Sequence, residues 1–450
     1  MDPDTSTTSV VGTAPETEVV TICQDLLRVD STNFGSGRAR GEAEMAGLVA
    51  GLLTEIGATC RTYAPEPGRT TLVADWAPEG TDMSRPVLLL HGHSDVVPAD
   101  ASDWTVPPFS GEIRDDCLWG RGAIDMKGFL AMVLSAMRAR HRRGEVPSRP
   151  VRFILFADEE ASGTLGSSWL GPHHPEIFDG VTEAISEIGG FSVTTPQGRR
   201  GYVVQAAEKG LWWFRMTATG LAGHGSMRNP DNAVARICAA VDRIVAHRWP
   251  DLHHPVQEAF LDSYSLLWGV DVDHDDLEGS LAGLGPLSRM VGAASSQMVT
   301  PTVLSAGYKV NVIPTAASAE LDARFVPGHD EEMIAQIKDL AGPGITFETI
   351  AYRPSVEAPF DGPVVDAIRS AIDAEDPGAM VLPFLNSAGT DAKGFARLPD
   401  GRTIRCYGCT PLKLPEDFDF ISLYHGVDER VPLDSLAFGA RVVDHILEEA

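Results

Sequence analysis

Apolar positions along this chain fall into two textures, and each predicts a different kind of element. Over 17–27, and more clearly over 41–56, they recur at three- and four-residue intervals, the spacing of one helix face. Thr71–Trp76 and Val87–Leu90 then read as strands, the second an unbroken apolar run suited to a sheet covered on both faces. Helical spacing returns over 128–143, where Phe129, Met132, Val133, Ala136 and Met137 share a face. Val151–Ala157 is another buried strand, and it runs into Asp158-Glu159-Glu160. Such alternation predicts an α/β fold with a largely parallel or mixed sheet between helices, whose sites form at the carboxyl ends of strands.

The texture changes near Glu208. Leu211–Thr219 alternates like an antiparallel strand and leads through a glycine-rich turn, 220–225, to Asn229-Pro230. A helix is expected to start there, with proline at an early position and Val234, Ile237, Val241, Ile244 and Val245 as its apolar face. Residues 251–300 are less regular, and strands follow over 302–311 and 317–324. This β-α-β-β block, 209–325, interrupts two α/β segments, 1–208 and 326–450. The expectation is a discontinuous domain with a second one inserted, in keeping with a length of 450 residues. Residues 1–16 read as a loose tail.

Composition narrows the partners. Against 36 Lys and Arg stand 63 Asp and Glu, a formal charge of -27, so the basic surplus that neutralises phosphate is missing. Nucleic acid and anionic membranes are therefore not expected as partners. No apolar run approaches the ~18 residues of a membrane span, and the start of the chain lacks the basic and apolar regions of a secretory leader. Six scattered cysteines do not resemble a disulfide framework. Cys406 and Cys409 form a lone C-x-x-C, a weak zinc or redox signal without a second pair. The chain reads as cytoplasmic.

The chemistry concentrates in a few segments. Leu90-His91-Gly92-His93-Ser94-Asp95 follows an apolar strand. In extended chain His93 and Asp95 point to the same side, so Asp95 is expected beside the His93 ring, fixing the tautomer of a metal-bound imidazole. A strand-end histidine bonded to its neighbours fits the same letters. Asp125, just before the helix at 128–143, suits a carboxylate bridging two cations or a helix cap. Three consecutive acids ending a buried strand, Asp158-Glu159-Glu160, are unfavourable without a counter-charge. Bound cations would supply it, with one carboxylate as ligand and another as base, while a solvated turn is the plain alternative. Glu187 and His425 carry no signal alone.

Together these segments resemble the M20 metallopeptidases, the aminoacylase, carboxypeptidase and succinyl-diaminopimelate desuccinylase group. HGHSDVVP, GRGAIDMKG, DEE, SEIGG, GLAGHGSM, NVIP, LDARF, AGTDA and YHGVDER follow one another in that family's order between Thr17 and Leu447. SEIGGFS and AEKGLWW, with GHGSM and DNAV, resemble most the Gly-X carboxypeptidase and N-acyl amino acid hydrolase branch. The resemblance implies a mixed-sheet α/β/α catalytic domain with an inserted α+β, ferredoxin-like lid and dimerisation domain. It also implies two zinc ions, for which cobalt or manganese could substitute. His93 and Glu187 would bind the first, Glu160 and His425 the second, and Asp125 would bridge them. Glu187 stands where many relatives have Asp. Asp95 would orient His93, and Glu159 would be the general base. His224, reaching over from a partner subunit, would donate to the oxyanion, with Asn311 nearby. Arg324 would hold the substrate carboxylate, and Gly389 and Thr390 would add backbone and hydroxyl contacts. The reaction so implied is hydrolysis of a peptide or N-acyl amino acid bond in a small substrate with a free carboxylate, by a homodimer paired through 209–325.

Three rivals stand beside this reading. His91-Gly92-His93 after a strand also suits a TIM-barrel amidohydrolase, which needs eight repeated β/α units. A phosphatase-like two-metal enzyme would want more basic groups than Arg324. A non-catalytic metal-binding homologue would typically lack a ligand or the base, and every one is present here.

Overall fold

The computed structural model describes residues 12–450 except 251, 275, 286, 293 and 295. Its large sheet is mixed and has ten strands. The main path runs Gly189–Thr194, Arg200–Glu208, Arg405–Gly408, Val181–Ser186, Val87–His93, Val151–Phe156, Arg69–Trp76, Thr59–Glu66. Met380–Asn386 and Val356–Glu357 also pair with Arg200–Glu208. The three strands at 181–186, 87–93 and 151–156 are mutually parallel neighbours. Leu88 and Leu90 enter one apolar layer, shared with the helices Val19–Arg28, Ala43–Thr54, Lys127–Arg143, Pro363–Glu375 and Leu433–Glu449. Leu89, between them, enters the opposite layer with Leu170, Ile177, Phe178 and Phe395. Successive strand residues face opposite sides, and both sides are covered, which is why the run is unbroken. This sheet is open along its path from 189–194 to 59–66, so the chain does not form the closed barrel of the amidohydrolase rival.

Helix Lys127–Arg143 lies deep in this core, with 127–137 buried all round, and ends at Gly144 in the left-handed region, φ 70°. The N-terminal stretch expected to be loose divides: 1–11 lie outside the described residues, while Pro15–Thr17 form a 3-10 turn with Pro15 buried.

The smaller sheet runs Met298–Ala306, Ala316–Phe325, Gly210–Thr219, Ile345–Arg353, all antiparallel. Helices Ala233–Ala246 and Asp330–Ala341 cover one face, where Trp212, Phe214 and Met216 meet Ile237, Ile244, Met333 and Ile337. In chain order this is β-α-β-β-α-β, the ferredoxin-like arrangement. The arrangement therefore takes in 330–353, past the expected boundary at 325. Strand–helix alternation looks the same on both sides of that boundary in the letters; only the pairing of 345–353 with the distant 210–219 separates them. The irregular stretch at 251–300 goes the other way, because helix Pro255–Trp268 buries Val256, Phe260, Leu261, Tyr264 and Leu267 in the large core. Helix Ala233–Ala246 starts later than Asn229-Pro230. Asn232 caps it, its Oδ1 accepting from the amides of Val234 and Ala235, while Asn229 ties the preceding turn to the Leu221 carbonyl.

Among the described residues no helix is long and apolar enough to cross a membrane. Cys406 and Cys409 are buried and unpaired, and burial pushes the Cys409 thiol up to about 12, away from the thiolate that zinc or redox chemistry needs.

Candidate metal centre

The carboxyl ends of the three parallel strands converge on one spot. Val87–His93 ends on His93, Val151–Phe156 leads into a 3-10 turn carrying Glu159 and Glu160, and Val181–Ser186 is followed by Glu187. Asp125 arrives just ahead of helix Lys127–Arg143, and His425 from the loop before the last helix. His93 Nε2 lies 3.0 Å from Asp125 Oδ1 and 3.4 Å from Glu187 Oε2. His425 Nε2 lies 3.2 Å from both Asp125 Oδ2 and Glu160 Oε2. Asp125 thus turns one oxygen to each imidazole. Donor atoms of His93, Asp125 and Glu160 lie within 4.8 Å of one another, as do those of His93, Glu159 and Glu187. The five residues expected at the metals and the expected base meet here.

Four carboxyl groups share this small space with two imidazoles. Burial raises the Glu187 carboxyl to about 8. Burial and the Glu187 charge lift Glu159 well above its ordinary value. Burial raises Asp125 too, but its hydrogen bonds with His425 and His93 outweigh that and hold it low. Against its own burial, His93 is raised well above the usual imidazole value by the Glu187 charge and the Asp125 hydrogen bond. Hydrogen bonds to Asp125 and Glu160 raise His425 to about 10. Burial and crowded carboxylates together set these shifts, and divalent cations would balance the negative charge directly. Glu160 Oε1 is buried without a hydrogen-bond partner, an oxygen that a cation would satisfy. Imidazole nitrogens with carboxylate oxygens are a zinc-type donor set, so the residues fit a pair of such ions.

The support for His93 differs from the expectation. Its Nδ1 lies 2.9 Å from the Asp95 main-chain oxygen and 3.7 Å from the Asp95 carboxylate. A carbonyl only accepts, so Nδ1 keeps its proton, and Nε2, turned to the carboxylates, is the nitrogen that would give up its own proton to a metal. The strand stops at His93, and the same-side rule stops with it. The Asp95 carboxylate instead accepts from Asn33 Nδ2 at 2.8 Å and from the amides of Glu159 and Glu160 at 3.1 and 3.2 Å. It fixes the turn that holds both glutamates. Asp158, first of the acidic triple, turns away from the cluster at φ 68° and accepts from Arg69 Nη2 at 2.7 Å. The Arg69 guanidinium is its counter-charge, where a metal ion was expected, and Arg69 also pairs with the buried Glu42.

Glu429 is fully buried, and sequence reasoning missed it. Its carboxylate accepts from the amides of Gly122, Ile124 and Asp125 and from Arg121 Nη1 at 2.6 Å. Arg121 Nη2 donates in turn to the carbonyls of His425 and Gly426. One ion pair therefore ties the Asp125 segment to the His425 loop. The available signal was that Arg121 and Glu429 sit inside GRGAIDMKG and YHGVDER.

A cleft of about 300 Å³ opens beside the cluster, lined by Glu159, Glu160, His425, Arg324, Arg353 and Asp391 among others. Arg324 is held by Asp322 through two bonds of 2.8 and 3.0 Å. Arg353 was not expected here. Both arginines stand opposite Leu211 in the smaller sheet, so they rise from one face. Arg353 donates to the carbonyls of Ser162 and Tyr352 and to the Thr164 hydroxyl, all neutral acceptors. Gly389 and Thr390 line the cleft, but the Thr390 amide and hydroxyl both donate to the buried Glu208. That bonding departs from the expected hydroxyl contact to substrate, and Glu208 holds the loop instead. His224 and Asn311 lie together, Gly225 donating to the Asn311 carbonyl at 3.0 Å, but neither lines this chain's cleft. His224 is exposed, with Nδ1 2.9 Å from Ser226 Oγ.

Residues 89–449 match peptidase family M20/M25/M40. The chain is 28% identical to aminoacylase-1 of Sus scrofa over 359 residues, which is 76% of this chain and 78% of that protein. It is 27% identical to the N-fatty-acyl-amino acid synthase/hydrolase PM20D1 of Xenopus tropicalis over 389 residues, 80% of this chain and 71% of that protein. In fold it is similar to the M20 family metallo-carboxypeptidase Sso-CP2 from Sulfolobus solfataricus, with a TM-score of 0.70 at 19% identity, covering 96% of this chain and 98% of that one. With a match that takes in the cluster of imidazoles and carboxylates and the whole smaller sheet, the chain belongs to peptidase family M20/M25/M40.

Proposed function

We propose that this protein is a two-metal hydrolase that cuts the amide bond of a dipeptide or N-acyl amino acid bearing a free carboxylate. The observation that carries the reading is Asp125, with one oxygen toward each imidazole and Glu187 and Glu160 on its flanks. Two zinc ions held by His93, Glu187, Asp125, Glu160 and His425 would supply an acidified water and a polarised carbonyl. Glu159 takes the water's proton on its carboxylate and later delivers it to the leaving amine. Asp95 is a positioning residue, holding the Glu159 amide and the His93 ring. The names of two relatives, an N-fatty-acyl-amino acid synthase/hydrolase and aminoacylase-1, support the substrate class. Protein stripped by a chelator is expected to lose hydrolysis across a panel of dipeptides and N-acyl amino acids, and to regain it with zinc or cobalt. Inactivity across the panel after either ion is restored sinks the reading.

Arg353, bonded only to neutral oxygens, is the guanidinium best placed to take the substrate carboxylate, with Arg324 beside it already shared with Asp322. Arg353→Met should raise KM for the free acid about 10- to 100-fold, the value of a charge-assisted bond. An amidated substrate should show no such change, which separates lost binding from misfolding.

Oxyanion support from His224 needs a second subunit. The outer strand Met298–Ala306 is exposed at every residue but Val299, Leu304 among them, and Tyr308 and Val310 stand exposed beyond it, features that favour self-pairing of the smaller sheet in a homodimer. Subunits carrying Glu159→Gln and subunits carrying His224→Ala should each be inactive alone. Refolded or exchanged together in equal amounts, they should regain about a quarter of the normal activity, because half of the dimers are mixed and one of the two sites in each is then complete. No recovery in verified mixed dimers would remove the trans role. The six unpaired cysteines favour a reducing, cytoplasmic setting.

A further inference from the structure

We infer that a further metal site, separate from the main centre, lies at the start of helix Pro255–Trp268 and takes a zinc ion on His253, Glu258 and His274. The donor atoms of these three residues lie within 4.8 Å of one another. His253 Nδ1 stands 2.8 Å from Glu258 Oε1, and the rings of His253 and His274 have centroids 6.2 Å apart. Backbone geometry explains the first pair. His254 is the N-cap of the helix, with its Nδ1 accepting from the Val256 amide. His253 and Glu258 therefore hold the positions on either side of the cap whose side chains meet in a hydrophobic staple. Here those positions carry metal donors instead of apolar groups.

His274 reaches the pair from the far end of the helix. The helix ends at Gly269 in the left-handed region, φ 70°, and the chain folds back along it. Val272 anchors the returning segment on the large core, and the Asp273 amide donates to Ser280 Oγ at 2.8 Å. The segment thus offers His274 to the helix start from a fixed position. Two imidazoles and one carboxylate are a common zinc set with a water in the fourth place, at metal–ligand distances of about 2.0–2.2 Å. All three side chains reach solvent, so rotation about their side-chain bonds closes the remaining gap without moving backbone. Asp271 and Asp276 on the same segment add negative potential that favours a cation. A bound ion would clip the return segment to the first turn of the helix, holding both ends of an element whose Phe260, Leu261 and Tyr264 belong to the large core.

The test is zinc stoichiometry of the full chain after chelator treatment, reloading and desalting. The wild type is expected to hold one zinc equivalent more than His253→Ala/His274→Ala, with both proteins equally active on the same substrate. Because the measurement is a difference, it stands whatever the main centre holds. Equal zinc content in the two proteins overturns the site. A second measurement needs no variant: zinc is expected to protect His253 and His274 of the wild type from diethyl pyrocarbonate, read by peptide mass spectrometry. Equal modification with and without zinc overturns it as well.

Discussion

Glu159→Gln is expected to keep the full metal content and to lower kcat by about 10²- to 10⁴-fold, the range of a positioned general base. The amide has the shape of the carboxylate but cannot accept the water's proton. Its main chain stays in place, because the Asp95 carboxylate holds the amides of residues 159 and 160 whatever side chain follows. The metal set does not change either, since Glu160 faces His425 through its own oxygen. KM should move little, which marks the loss as one of chemistry and not of binding. Metal analysis beside steady-state kinetics makes the check. Retained activity would assign the proton to another group, and lost metal would make Glu159 a ligand.

The second large effect is on stability. Glu429→Ala is expected to reduce the free energy of unfolding by about 3–5 kcal/mol, the usual result of stranding one member of a buried ion pair. Arg121 would be left charged and enclosed, and the amides of Gly122, Ile124 and Asp125 would lose their acceptor. Removing both charges in Arg121→Met/Glu429→Ala should recover part of the loss, since no charge is then stranded. Urea unfolding of the metal-free proteins isolates this term from metal affinity. A change below about 1 kcal/mol in the single variant would mean the segment is held by other contacts.

These two variants mark what could be read from the letters. The place of Glu159 in the cluster was legible because three acids end an apolar run, and the resemblance to one family implied a role for each of them. The large sheet was legible for a similar reason: Val87–Leu90 and Phe153–Ala157 are apolar runs suited to a doubly covered sheet. Glu429, Arg69 and Glu208 were not legible. Each is a charged residue whose partner lies far off in the chain, and nothing local distinguishes it from a solvated one. The Asp95 carboxylate was misassigned because two residues of separation predict a shared face only while the strand lasts. The limit of the smaller sheet was missed because its closing strand pairs with residues more than a hundred positions earlier. Arg353, on that strand, was missed with it.

The tie between Arg121 and the His425 loop also sets an order of events during synthesis. The ribosome releases His93, Asp125, Glu160 and Glu187 first, then every residue of the smaller sheet, and only afterwards His425 and Glu429. Until that last loop docks, the nascent chain carries a knot of carboxylates with one imidazole among them and Arg121 without its partner. The emerging large layer stays unfinished as well, because Arg405–Gly408 and helix Leu433–Glu449 come late. The smaller layer has all four of its strands by residue 353 and its own apolar core, so it can consolidate while the larger one waits. A stalled or clipped chain lacking the His425 loop would thus carry a finished smaller layer and a candidate metal centre without its second imidazole.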